Sequence, residues 1–178
     1  SATCNNGQAP AGTIATYNGW VSLVDQAGKL IALVRNPAGG IVNQYSVAHN
    51  INVGGIRQEG GIYYLDRNYR INNTSATNVE VQFFFLDSEF AALNNAAGGT
   101  LTTSSLNITR QPGSSCEANF STLNGSGSAM LQTGNGAANG VFWVSPIAPS
   151  FSNFYIMPGT APLKTTCYPP TKLSFSSV

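Results

Sequence analysis

Residues 61–93, G-I-Y-Y-L-D-R-N-Y-R-I-N-N-T-S-A-T-N-V-E-V-Q-F-F-F-L-D-S-E-F-A-A-L, constrain the fold more than any other stretch. They hold two alternating apolar runs, one turn cluster and one helix start. In the first run Tyr63, Leu65, Arg67, Tyr69 and Ile71 alternate with Ile62, Tyr64, Asp66, Asn68 and Arg70. Successive side chains of a strand point to opposite faces, so the Tyr63 set is expected to face a core and most of the Tyr64 set water. Asn72 to Asn78 is rich in residues that bond their own backbone and stop a strand. In the second run Val79, Val81, Phe83 and Phe85 form one face and Glu80, Gln82, Phe84 and Leu86 the other. Its far end is apolar on both faces, which predicts a central strand covered on both sides there. The two strands are expected to pair as antiparallel neighbours. Asp87 or Ser88 then caps a short helix, with Glu89 in the first turn. Phe90 and Leu93 share its apolar face, and Gly98-Gly99 closes it.

The remaining chain reads as further short strands. Trp20 to Asp25 and Lys29 to Arg35 flank Gln26-Ala27-Gly28 as a hairpin. Val42 to Val53 forms one strand, and Leu106 to Arg110, Val141 to Val144 and Phe154 to Met157 form others. Asn5-Asn6-Gly7 reads as turn chemistry in an entry segment. Residues 116–140 read as a long irregular loop with one short strand near Ala129 to Gln132. Eight to ten short strands with one small helix predict an all-β fold: an antiparallel β-sandwich, Ig-like or jelly-roll-like. Residues 1–160 are assigned to the sandwich. Residues 161–178 are assigned to a Pro-rich linker and a terminal strand that begins near Leu173, either the start of a next domain or a strand used in assembly.

With 178 residues the chain has room for a real core. Charged residues make up only 8%, and Asn, Gly, Ser and Thr carry the surface instead, a mix expected of secreted and cell-surface β proteins. A net charge of +1 leaves no electrostatic case for nucleic-acid binding. No stretch reaches the roughly 18 apolar residues of a membrane helix, and Ser1 is expected to begin a mature or trimmed chain. Of the three cysteines, Cys4, Cys116 and Cys167, none forms a CxxC pair, and His49 is the only histidine, so no metal site or cofactor is expected. An oxidising compartment would join one pair of cysteines, with Cys4 to Cys116 expected; the alternative is three unpaired cysteines.

Three groups of these residues also resemble a known module. Tyr63 to Ile71, Val79 to Leu93 and Phe151 to Tyr155, with Leu30 to Pro37 ahead of them, are similar in content and order to a β-sandwich module of large secreted and surface proteins of Bacteroidota. The resemblance covers roughly residues 20–158. It implies export by the gliding-associated secretion route, and a place near the C-terminus of a long adhesin or multidomain enzyme. It also implies that the tail from Thr165 begins a fibronectin-III-like domain.

For function, the seven carboxylates are scattered, and capping explains Asp87 and Glu89. Arg67 stands on the apolar face and needs a carboxylate partner, for which Glu80 or Asp87 is expected. No G-x-S-x-G accompanies His49, so no hydrolase triad is expected and the chain is read as not an enzyme. Aromatic side chains match the C–H faces of sugar rings. Trp20 and Trp143 are favoured as core residues, with a ligand platform as the alternative, and Tyr64 is the platform candidate because it alternates with Tyr63. The expected function is a non-catalytic, secreted or cell-surface structural or adhesion module of a larger bacterial protein. The alternatives are a carbohydrate-binding module attached to a secreted enzyme, and a self-assembling filament subunit that uses strand addition. Expected partners are neighbouring domains of the same polypeptide, identical subunits, or glycans.

Overall fold

The computed structural model describes residues 5–8 (as backbone), 19–38, 46–72, 78–113, 119–120 and 126–162. In chain order the elements are β1 (Asn5–Gln8), β2 (Val21–Asp25), β3 (Leu30–Arg35), β4 (Ser46–Ile51), β5 (Arg57–Glu59), β6 (Ile62–Tyr64), β7 (Arg67–Asn72) and β8 (Val79–Leu86). There follow α1 (Asp87–Ala96), a 3-10 turn (Thr103–Ser105), β9 (Leu106–Gln111), β10 (Ser128–Met130), β11 (Gln132–Ala138), β12 (Val141–Ala148) and β13 (Asn153–Pro158).

Among the described residues, eleven strands form one antiparallel ladder in the order β10-β9-β13-β7-β4-β1-β2-β3-β8-β12-β11. The ladder folds over at β1, which pairs with β4 on one side (Asn5↔His49 to Gln8↔Ser46) and with β2 on the other (Gly7↔Asp25, Gln8↔Val24). The strands on either side of this fold make two large packed layers, so the protein is an all-β antiparallel sandwich with one short helix. Asn5–Gln8, expected as a turn, is therefore the strand that joins the layers. Its polar, glycine-containing sequence carries no strand signal, and two waiting ladder edges supply the pairing instead.

The central stretch differs from expectation in one instructive way. β7 pairs with β4 and β13, whereas β8 pairs with β3 and β12. The two are not neighbours; they face each other across the core. The Tyr69 and Phe83 rings meet at 4.7 Å, Phe83 and Phe154 meet at 5.1 Å, and the Tyr69 hydroxyl donates to the Phe84 carbonyl. An alternating strand must only turn its apolar row inward, and it does so equally well beside its partner or opposite it. Periodicity therefore assigned the buried rows, Tyr69 and Ile71 against Val79, Val81, Phe83 and Phe85, without assigning their layers. Each of these large side chains contributes about 1.5–3 kcal/mol by leaving water. β8 is central in its layer, but its outer face is not covered by any described element: Phe84 is half-buried and Leu86 is exposed.

The run 62–71 also breaks in two. Arg57–Glu59 and Ile62–Tyr64 form a separate ribbon whose turn, Gly60-Gly61, has φ of 57° and 81°, the mirror-image turn that matches strand twist. The ribbon carries Tyr64 down onto a second small cluster with Phe120, Tyr155 and Met157. Helix α1 starts one residue earlier than expected, with Leu86 at the cap position; the Glu89 carboxylate reaches back to accept the Leu86 N–H at 2.7 Å. Gly98 and Gly99, at positive φ, follow its end as expected. β11 falls within the expected loop of residues 116–140. Its one sequence signal is Asn139-Gly140, whose φ values of 52° and 76° make a two-residue hairpin to β12.

Candidate functional site

One buried ion pair lies at the end of the layers where β8 runs into α1. Arg67 follows the inward parity of Tyr69 and Ile71, and so enters the core beneath the helix. Its Nε lies 3.1 Å from both Glu89 oxygens and its guanidinium NH2 3.1 Å from Oε1. Both side chains are mostly buried, at 13% and 11% exposed. Glu89 therefore ties two groups together: the Arg67 guanidinium of one layer and the Leu86 amide, where β8 of the other layer ends and the helix cap stands. The carboxylate expected for Arg67 was Glu80 or Asp87, and that expectation is corrected. Glu80 projects to the outer face directly opposite Arg35 and pairs with it there, while α1 turns Glu89 inward.

His49 is buried on β4 opposite Tyr69 in the β4–β7 ladder. Burial is the main force pushing its pKa below the ordinary value and the Arg67 charge adds to it; Asp25 and Glu89 oppose more weakly. The imidazole is therefore neutral at pH 7. A cavity of about 200 Å³ opens at this end, lined by Leu30, Arg67, Phe84, Phe85, Leu86 and Val141. Its walls are apolar, and its one cation already has Glu89 as counterion. Among the described residues, no group of three or more His, Cys, Asp or Glu side chains is placed to hold a metal ion.

A second polar cluster lies under the β5–β6 ribbon. Arg57 is buried and donates to Asn68 Oδ1 at 2.9 Å and to the Leu65 carbonyl, with Asp66 at 3.8 Å. Its guanidinium sits 4.6 Å from the centre of the Tyr64 ring. Tyr64 also meets Tyr155 edge to face at 5.8 Å and is only 2% exposed. Burial raises its pKa above the ordinary value, and Arg57 partly offsets this. Tyr64 thus cannot present a platform to a ligand. The outward expectation failed because the strand breaks at Leu65-Asp66, so the face that would have met water meets the sheet.

Trp20 and Trp143 are both half-buried and neither belongs to the core. The Arg35 guanidinium covers Trp20 at 4.7 Å from the ring centre, and Glu80 fixes Arg35 with an Nε contact of 3.0 Å. Trp143 stands on the outer face of β12, opposite Phe84 in the ladder. Its indole lies over β11: a Cβ on Gly136 would come within 2.7 Å of ring atoms. β3 and β8 separate Trp20 from Trp143, and Tyr64 belongs to a different sheet, so the three do not form one surface. Cys4, Cys116 and Cys167, with the expected disulfide, and the terminal segment Leu173–Val178 lie outside the described residues.

Comparison of the chain with protein-family models, with curated proteins and with solved structures finds no match to any of them. No helix among the described residues is long and apolar enough to cross a membrane, which does not bear on crossing by strands.

Proposed function

We propose that the chain is a non-catalytic structural or adhesion module of a larger secreted or cell-surface bacterial protein. The observation that carries this reading is where its few charges go. Arg35 pairs with Glu80, Arg57 with Asp66 and Arg67 with Glu89, and each pair ties one element to another. Six of the fifteen charged side chains (Lys+Arg 8, Asp+Glu 7) thus brace strands, ribbon and helix, and so serve shape. The low charge, the Asn/Ser/Thr/Gly surface and the likeness to a Bacteroidota surface module support export and presentation outside the cell. The test is a broad screen of the purified chain against glycan and peptide substrates, alongside thermal unfolding. A cooperative unfolding transition with no turnover is expected, and turnover that survives repurification would overturn the proposal.

One observation favours a second reading, a carbohydrate-binding module. Trp143 is half-buried on an outer face beside Phe84, with one side of its ring supported by Gly136. Sugar rings stack on such a surface. Affinity electrophoresis through gels containing plant and bacterial polysaccharides tests it. Retardation abolished by Trp143→Ala supports glycan binding, and unretarded migration in every gel removes it.

A further inference from the structure

Among the described residues the ladder ends on β10 and β11, and both lie in the longest uncharged run of the chain: no Asp, Glu, Lys, Arg or His occurs between Glu117 and Lys164. β11 is the longer of the two, with seven residues against three. It pairs with β12 on one side, and among the described residues no strand pairs with its other side. An open edge presents a row of N–H and C=O groups, and proteins usually guard it with lysine, proline, an inward charge or a bulge. β11 has no charge and no proline. Its one irregularity lies between Gln132 and Gly134, which leaves Gly134 to Ala138 in regular register with β12. Thr133, Ala137 and Ala138 are exposed.

Trp143 makes this edge more than a bare backbone. Its indole lies where a side chain on Gly136 would stand, and so gives the glycine strand the apolar cover that it lacks. A second copy of the chain is the occupant that the chemistry fits. In a two-fold pairing the same surface meets itself, so any charge on the strand would be brought toward its own like. β11 avoids that repulsion at every position, and its small side chains permit close approach of the two backbones.

We propose that β11 is a self-association edge: two copies join antiparallel through Gly134 to Ala138 and continue one layer of the sandwich across a two-fold axis. Sedimentation equilibrium of the full chain tests this, with hydrogen exchange of the β11 amides followed at low and high protein concentration. The expected result is a mass that rises to twice the monomer's, with protection of alternate amides in 134–138 appearing as it does. Ala137→Lys and Ala137→Glu, both at an exposed position, should each remain monomeric with unchanged circular dichroism, and mixing them should restore a one-to-one dimer. Should either variant fail to fold, Ala138→Lys and Ala138→Glu, at the other exposed position of the joint, serve for the same mixing experiment. A wild-type chain that is monomeric throughout would overturn the inference and leave the structural-module proposal standing. A dimer that persists in the lysine variants, or that forms without protection of β11, would also overturn it.

Discussion

Replacing Glu89 with alanine should destabilise the fold by about 3–5 kcal/mol, the usual cost of leaving one member of a buried ion pair without its partner. Two features place it in that range rather than among surface pairs, which contribute ~0–1 kcal/mol. The Arg67 and Glu89 side chains are only 13% and 11% exposed, and the guanidinium meets both carboxylate oxygens. The same substitution removes the acceptor of the Leu86 N–H, a helix-capping contact that adds roughly 1 kcal/mol. For a domain of this length each kcal/mol moves the melting temperature by about 2–4 °C, so a fall of about 6–20 °C is expected. Glu89→Gln, which retains an acceptor and the side-chain volume, should lose less. The double variant Arg67→Met/Glu89→Met should recover much of the loss, because no buried charge is then left unmatched. Urea unfolding followed by circular dichroism measures all three. A loss below about 1 kcal/mol for Glu89→Ala, or a double variant no more stable than the single one, would refute the bracing role of this pair.

Further outcomes follow from the same geometry. His49, with its folded pKa below the ordinary value of 6.5, takes up a proton more readily when unfolded; stability should therefore be flat above about pH 6.5 and decline as pH falls below it, and urea midpoints of His49→Leu should lack that component of the slope. Gly136→Ala would place a Cβ against the Trp143 indole, so the ring must move; a shift in tryptophan fluorescence and a loss of about 1–3 kcal/mol are expected, and unchanged emission would refute the close stacking. Tyr64→Ala should cost about 3–5 kcal/mol in urea unfolding, as expected for an aromatic core residue, whereas a neutral effect would mean that the ring is not held between Arg57 and Tyr155.

Residues whose signal is local were legible without coordinates. The hairpin of β2 and β3, the apolar rows of β7 and β8, the body of the helix and its Gly98-Gly99 ending all follow from alternation or turn chemistry within a few residues. The glycine turn between β5 and β6 and the Asn139-Gly140 turn carry signals just as local, yet neither hairpin was expected, because the short β5 and the polar β11 that flank them show no apolar alternation. Arg67 was recognised as a buried cation because it shares parity with Tyr69 and Ile71. Its partner was not recognised, since the choice between Glu80, Asp87 and Glu89 depends on where α1 begins and how it sits against β7. Tyr64 shows the opposite failure: its parity was read as if one strand ran from Ile62 to Ile71, and a break of two residues reversed what it faces.

By itself the sequence determined that the chain builds β layers with one small helix, and which rows of side chains leave water, because the two-residue period of a strand and the demands of a turn are properties of neighbouring residues. Tertiary structure alone decided that β7 and β8 lie in opposite layers, that the weakly patterned Asn5–Gln8 joins those layers, and that Glu89 meets Arg67. It also decided that Tyr64 is buried on the inner side of its ribbon while Trp143 stays at the surface. In each case several arrangements bury the same apolar rows equally well, and only long-range packing and the pairing of open strand edges select among them.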